Sequence, residues 1–151
     1  GGCTMKLRSV YLHEGGDQLL YELLKERDEI TNISHRQMPD WPSHVAFIAS
    51  KPYTAWYFIQ GDKLETYGAI YLSKTNEIGV FLFRRYRGNG YGPSAVRKMM
   101  EMHPRDRYLA NINPLNERSI SMFSGMGFRH CQNTYELRLE TAAGRIVVTE
   151  Y

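Results

Sequence analysis

The feature that most constrains the fold is a glycine-rich stretch, RGNGYG, at residues 87–92. A β-rich segment leads into it, and a helical pattern of apolar residues follows it to about Met102. A strand that passes through such a loop straight into a helix leaves bare backbone N–H groups where the helix dipole favours negative charge. Glycine also lets a bulky anion approach the backbone closely. The stretch therefore predicts a phosphate or pyrophosphate site, with Arg87 supplying a fixed positive charge.

Other phosphate-binding motifs fit this loop less well. A Walker loop ends in Gly-Lys-Ser/Thr, whereas residues 92–94 read GPS and lack the lysine. A dinucleotide fingerprint would place the third glycine one residue later and would follow a βαβ unit. On the loop alone, a tight turn that simply requires glycine stays open as the alternative.

Bulk composition favours one globular domain. The 151 residues are enough for a sizeable core, and a hydrophobic content of 42% argues against disorder. The net charge of +3 does not by itself predict nucleic-acid binding, and Cys3 and Cys131 are too few for a disulfide framework or a metal site. No run approaches the ~20 apolar residues of a membrane span. We expect a cytoplasmic protein with no membrane contact, one domain over residues 5–151, and a vector-derived remnant at residues 1–4.

Hydrophobic periodicity and turn residues predict the element order β-α-α-β-β-β-α-β-α-β-β. Strands are expected at residues 6–12, 54–60, 64–73, 77–83, 108–112, 128–131, 135–140 and 146–150, where 128–131 and 135–140 are counted as one interrupted strand. Helices are expected at about residues 17–27, 41–50, 92–102 and 117–124, the first three-turn helix with Asp17 as its N-cap and the second with Asp40. Short turns between the second, third and fourth strands predict an antiparallel meander. The fold class is α/β, with a mixed, mostly antiparallel sheet.

A second patterned segment begins at Asn116 and reads N-x-x-S-x-x-M-F-x-x-x-G-F. Together with R-x-x-G-x-G at residues 87–92, and with one predicted helix and one predicted strand between them, it resembles the GNAT superfamily of acetyl-CoA-dependent N-acetyltransferases. The resemblance covers residues 54–139 and is weaker before them. It implies a sheet splayed in a V, acetyl-CoA as co-substrate and no metal.

The resemblance also implies which residues meet the cofactor. The strand before the loop is expected to end in a bulge, whose free amides near Phe81 and Leu82 would face the thioester and the pantetheine arm. The implied cofactor-binding set is Phe81, Leu82, Arg87, Gly88, Asn89, Gly90, Tyr91, Gly92, Asn113, Asn116, Ser119 and Phe123. Two of these also have purely structural explanations, since Asn116 would cap a helix and Asn113 would shape the turn before Pro114.

The reaction that this family performs needs a neutral amine. Freeing the lone pair of a lysine-like amine at neutral pH costs about 4–5 kcal/mol, and a general base lowers that cost. Glu77, at the start of the strand before the loop, is the candidate base, and an ordinary exposed carboxylate is its alternative reading. Other candidates are His44, Asp40, Tyr71 and an ordered water chain.

The general acid is not identified by the resemblance. Phe123 stands where the family frequently has a tyrosine, and a phenyl ring cannot donate a proton. A thiolate with a pKa of ~8.5 needs only modest help to leave near neutral pH. Ser121, Ser124 and Cys131 lie nearby in the sequence as other donors.

The acceptor site is expected in residues 33–47 and 131–134, with Trp41, His44, Tyr57 and Tyr71 as candidate substrate contacts. We expect acetyl transfer by direct attack of a primary amine of a small molecule, such as an amino sugar or an amino-acid derivative. A protein N-terminal acetyltransferase and a catalytically degenerate acyl-CoA-binding sensor or scaffold are the alternatives. An RNA-binding protein would have no need of the second motif, and no nucleic-acid partner is expected. The β-branched tail, residues 144–151, gives a homodimer as a further expectation.

Overall fold

The computed structural model describes residues 5–27, 38–137 and 139, and these residues form one four-stranded antiparallel sheet with helices on both faces. The strands follow one another across the sheet in chain order: β1 (Lys6–Ser9), β2 (Ala55–Gln60), β3 (Thr66–Leu72) and β4 (Ile78–Leu82). The α-helices are α1 (Gly16–Lys25), α2 (Trp41–Ala49), α3 (Tyr91–Met102) and α4 (Glu117–Gly125). Two 3-10 turns lie at Val10–Leu12 and Arg84–Tyr86. The α/β class with a mostly antiparallel sheet is confirmed.

The predicted meander of β2, β3 and β4 is confirmed, and its turns explain the antiparallel pairing. Between β3 and β4 the backbone N–H of Ser73 donates to the carbonyl of Glu77 at 2.9 Å, and Asn76 adopts a φ of 66°. Asparagine tolerates this left-handed conformation better than most residues. A connection this short can only reverse the chain direction.

Each face of the sheet buries its own apolar cluster. The face that carries α3 and α4, here called the α3 face, buries Ile70, Leu72, Val96, Met99 and Phe123. The face that carries α1 and α2, here called the α1 face, buries Leu20, Leu23, Ile48, Trp56 and Phe58. Side chains of β4 alternate between the two faces, so that Val80 and Leu82 pack on the α3 face and Phe81 packs on the α1 face.

Two of the predicted helix caps are confirmed and one is wrong. The side chain of Asp40 accepts from the backbone N–H of Ser43 at 2.8 Å, and that of Asn116 accepts from Ser119 at 3.2 Å. α1 starts one residue before the expected Asp17, with Gly15 in the cap position at a φ of 75°. Asp17 instead lies in the first turn, where its charge interacts favourably with the helix dipole.

Several predicted strands are shorter or missing. The first strand ends at Ser9, because the chain turns into a 3-10 helix there. Residues 108–112 contribute a single bridge, and residues 128–137 contain no strand. The apolar alternation of Tyr135 and Leu137 signals strand propensity, yet both side chains are exposed, since no described strand pairs with them. The strand predicted at residues 146–150 and the remnant at residues 1–4 lie outside the described residues.

Gly68 provides a test of how closely β3 and β4 pack. A Cβ atom at Gly68 would overlap the carbonyl oxygen of Phe81 and lie 2.8 Å from the Cα of Leu82. Both are backbone atoms, so the overlap is relieved only if the strands move apart. We expect Gly68→Ala to lower the free energy of unfolding by about 2–3 kcal/mol, as measured by urea denaturation.

Gly125 is the matched control, because a Cβ atom there meets nothing within 4 Å and the residue lies in α4. Gly125→Ala should leave the stability unchanged or raise it by up to about 1 kcal/mol. Full stability in Gly68→Ala would contradict the register described for β3 and β4.

Candidate functional site

The sheet opens at the edge of β4 that faces away from β3. The N–H of Ile78 donates to the carbonyl of Leu109 at 2.8 Å, and the N–H of Leu109 donates to Asn76 at 2.9 Å. Among the described residues this parallel bridge is the one pairing on that edge. Beyond it β4 and residues 111–113 form opposite walls of a cleft of about 400 Å³. The V-shaped splay that the family resemblance implied is therefore present.

Two backbone donors of β4 point into this cleft. Successive N–H groups of an antiparallel strand alternate in direction. Phe83 donates to the carbonyl of Tyr67 on β3 at 2.9 Å, so the odd-numbered residues of β4 pair with β3 and the even-numbered ones face the cleft. The bridge uses the amide of Ile78. The amides of Val80 and Leu82 remain directed at the cleft.

The bulge expected at the end of β4 is wrong. The register between β3 and β4 is unbroken along the strand. The amides face the cleft because the neighbouring segment diverges from β4, and not because of a bulge. Phe81 and Leu82 both line the cleft. The amide of Phe81 faces β3, however, and Val80 supplies the second donor in its place.

The glycine-rich loop forms one end of the cleft. Gly88 and Gly90 have φ values of 82° and 81°, conformations that strain residues with a Cβ atom. α3 begins directly after Gly90 with no side-chain cap, so its first backbone N–H groups lack acceptors within the helix. Arg87, Gly88, Gly90 and Gly92 all line the cleft. This end can hold an anion.

Asn89 and Tyr91 shape the loop and do not line the cleft. The side-chain amide of Asn89 donates to the carbonyls of Tyr86 and Arg87, at 3.1 and 3.3 Å. The ring of Tyr91 stacks on Tyr67 of β3 with 3.8 Å between the centroids and 5° between the planes. This stack fixes the start of α3 against the sheet.

The opposite wall comes from the second sequence motif. Asn113, Asn116, Ser119 and Phe123 line it. The two asparagines also satisfy their structural explanations, since Asn116 caps α4 and Asn113 accepts from the backbone N–H of Leu115 at 2.9 Å. Phe123 is buried, with its ring 5.0 Å from that of Phe128 in an edge-to-face contact.

The cleft passes through the sheet from one face to the other. The glycine-rich loop and α4 lie on the α3 face, whereas Leu23, Glu26 and Arg27 at the end of α1 line the cleft on the α1 face together with Phe81. Among the described lining residues Glu26 is the single carboxylate. Sequence reasoning missed Glu26 and Arg27, because they lie at a helix end and belong to no motif.

Glu77, the predicted general base, lies at the closed apex of the cleft. It forms the bridge to Leu109, and its backbone N–H donates to the Ser73 hydroxyl oxygen at 2.9 Å. Strand alternation places its side chain on the α1 face, as for Phe81. It does not line the cleft among the described residues, and its role stays a prediction.

The four predicted substrate contacts also lie outside the cleft lining. Trp41 is partly exposed, with its ring 5.2 Å from Tyr21. His44 is fully buried, its Nε2 lies 2.7 Å from the carbonyl of Asp17, and burial lowers its pKa. The hydroxyl of Tyr57 bonds to His103 Nε2 at 2.7 Å, on the α3 face.

Tyr71 is the predicted substrate contact nearest to the cleft. Its ring covers Gly79 of β4 so closely that a Cβ atom at Gly79 would overlap it. Gly79 itself lines the cleft, and the Tyr71 ring lies 6.4 Å from that of Phe81. Tyr71 therefore packs behind Gly79, which forms the cleft wall, and does not itself reach the cleft.

The described residues contain neither a metal-ligand cluster nor a membrane-spanning helix. Over residues 5–27, 38–137 and 139, no three His, Cys, Asp or Glu side chains are grouped to hold a metal ion. Within the same ranges no helix combines the length and the apolar character needed to cross a membrane. Cys131 is an exposed free thiol.

Known structures share this architecture. No protein-family model matches the sequence, and no curated protein matches it either. A spermidine N-acetyltransferase from Vibrio cholerae, in complex with CoA and spermine, superposes with a TM-score of 0.67 at 12% identity, over 92% of this chain and 86% of that one. An N-acetyltransferase from Staphylococcus aureus Mu50 gives 0.69 at 13% identity, over 85% of each chain.

The chain shares the fold of these two N-acetyltransferases. A domain from Methanocaldococcus jannaschii DSM 2661 also shares it, with a TM-score of 0.69 at 19% identity, over 87% of this chain and 92% of that domain. At sequence identities of 12–19% the structural similarity defines the fold alone. The fold is thus shared although the sequence identities are low.

Amide hydrogen exchange tests the direction of the β4 donors. We expect the amides of Val80 and Leu82 to exchange at least about tenfold faster than those of Gly79 and Phe81, because only the latter pair with β3. Residue-resolved exchange by NMR measures the four rates in one experiment. Similar protection of all four amides would contradict the open edge.

Proposed function

We propose that this protein is an N-acetyltransferase that moves an acetyl group from acetyl-CoA to a primary amine of a small molecule, such as an amino sugar or an amino-acid derivative. The observation that supports this proposal is the splayed edge of β4, which is continuous with the uncapped start of α3. Acetyl-CoA combines a diphosphate with an amide-bearing arm. The cleft offers hydrogen-bond donors suited to both parts.

The diphosphate would bind at the glycine-rich loop. Gly88 and Gly90 allow the backbone to turn its N–H groups outward, and the α3 dipole adds partial positive charge. Arg87 lines the same end of the cleft and adds a full positive charge. The backbone of Asn89 belongs to the same loop, while its side chain holds the turn.

The acyl-bearing arm would lie between β4 and residues 111–113. Its amide groups would meet the amides of β4 on one side and Asn113 and Asn116 on the other. The carbonyl oxygen of the thioester gains negative charge as an amine attacks it. The amides of Val80 and Leu82 would stabilise that charge, and in other enzymes one such donor contributes about 3–4 kcal/mol.

The neighbouring structures support the same class of ligands. One of them is a spermidine N-acetyltransferase that is bound to CoA and spermine. A cleft of the same fold in this chain therefore suits a CoA thioester and an amine. The two sequences are only 12% identical, so the spermine of that complex does not define the amine that this chain accepts.

Proton transfer would involve carboxylates on the α1 face. Glu77 remains the candidate base from the sequence, although it lies at the apex and not on the cleft wall. Glu26 lies on the wall itself. Phe123 cannot act as the acid, but a thiolate leaving group requires little protonation near neutral pH.

A second candidate function is favoured by the same Phe123. Its buried ring replaces a frequent proton donor of the family, as expected of an acyl-CoA-binding sensor or scaffold that performs no transfer. The two functions share the cofactor site and differ in turnover alone.

Thiol release separates the two functions. Purified protein is incubated with acetyl-CoA, with and without a panel of primary amines, and free CoA is followed with a thiol reagent. We expect release that depends on the amine, together with an N-acetylated product in mass spectrometry. Binding of acetyl-CoA without release under any condition would contradict the transferase and favour the sensor.

A further inference from the structure

We infer that the acceptor is an amine that also carries a carboxylate, an amino-acid-like zwitterion, held between Glu26 and Arg27 where the cleft opens on the α1 face. This inference rests on the proposed function, because it concerns the second substrate of the same cleft. It names a substrate class and two residues that neither motif includes.

The acceptor must approach from the α1 face. The glycine-rich loop occupies the α3 face, and the amides of Val80 and Leu82 lie between the two faces. A thioester whose diphosphate lies at the loop therefore presents its acyl carbon toward the α1 face. Leu23, Glu26, Arg27 and Phe81 line the cleft on that face.

The carboxylate of Glu26 is held in place at this entrance. Glu26 caps the C-terminal end of α1, and its Oε1 accepts from the backbone N–H of Arg84 at 2.8 Å. Its main-chain carbonyl also accepts from the Arg84 guanidinium at 3.4 Å. An ionised carboxylate offers about four acceptor positions, so a substrate ammonium can bind in addition to these contacts.

Arg27 follows Glu26 in the chain, and its guanidinium lies over the ring of Phe81. Its guanidinium carbon is 5.6 Å from the centroid of Phe81, which neighbours Tyr71, and Tyr71 stacks on Tyr53 at 4.0 Å and 5°. Tyr53, Tyr71 and Phe81 thus form one row of neighbouring rings. A guanidinium over an aromatic ring still presents N–H donors in its plane, and these match a carboxylate in a bidentate geometry.

The charges of the cleft favour a zwitterion over a polyamine. At the α1 face the described lining contains one carboxylate, Glu26, and one arginine, Arg27, whereas Arg87 and Arg118 lie toward the α3 face. Several ammonium groups on one substrate would find one carboxylate there and repulsion from Arg27. A zwitterion satisfies both members of the Glu26–Arg27 pair, with its amine at Glu26 and its carboxylate at Arg27.

The test compares matched amines at saturating acetyl-CoA. Each standard amino acid is assayed beside its carboxamide and its decarboxylated amine, and spermidine is included as the polyamine. We expect kcat/KM for the best amino acid to exceed the kcat/KM of its carboxamide and of its decarboxylated amine by at least about tenfold. Arg27→Gln should lower kcat/KM for the amino acid by about 10–100-fold and that for the carboxamide by less than about threefold, because a hydrogen bond to a charged group is lost only with the former.

Two exposed residues of α1 provide matched controls. Glu22 and Lys25 form a salt bridge of 3.1 Å with each other and do not line the cleft. Lys25→Gln makes the same change of charge as Arg27→Gln, and Glu22→Gln the same change as Glu26→Gln. Both controls should retain the preference for amino acids, whereas Glu26→Gln should lower kcat/KM for every amine.

Each outcome bears on the inference. A preference for spermidine or for decarboxylated amines, or an unchanged preference in Arg27→Gln, overturns it while acetyl transfer still stands. An absence of transfer to every amine by the wild type overturns the proposed function, and the inference with it. If Arg27→Gln fails to fold, Arg27→Lys retains the charge without the bidentate geometry and should show a smaller loss of preference.

Discussion

The structure depends on one hydrogen-bonding constraint, namely that β4 is paired along one edge and released along the other. The bond from Ile78 to Leu109 is the last link before the two segments part. A buried N–H without an acceptor is costly, so the amides of Val80 and Leu82 must face water or a ligand. The cleft supplies that access, and every proposed contact is arranged around those two donors.

The surroundings keep the open edge in place. β3 holds β4 in an unbroken register on the other side, and the stack of Tyr91 on Tyr67 ties the start of α3 to the sheet. On the α1 face, Glu26 bonds to the backbone just after β4. The two ends of the cleft are thus fixed to the paired strands β3 and β4, so that the anion site and the acceptor entrance have a defined separation.

Local patterns in the sequence predicted the parts of the fold that local physics decides. The glycine-rich loop, the caps at Asp40 and Asn116 and the meander all follow from residues close in the chain. The divergence after Leu109 was expected only from the resemblance to a known family, because strand propensity does not report whether a partner backbone is within reach. The position of Glu26 in the cleft was not predicted for a related reason, since its carboxylate bonds to Arg84, which is 58 positions away in the chain.

The most direct test of the central claim is calorimetric titration of the protein with acetyl-CoA. The account predicts saturable binding that weakens at least about tenfold in Arg87→Glu, because that variant places a negative charge beside the diphosphate. Arg85→Glu is the matched control, since Arg85 stacks on Phe83 and Tyr86 outside the cleft, and it should bind nearly as tightly as the wild type. A folded wild type that binds no acetyl-CoA would contradict the claim that this cleft is a coenzyme A site.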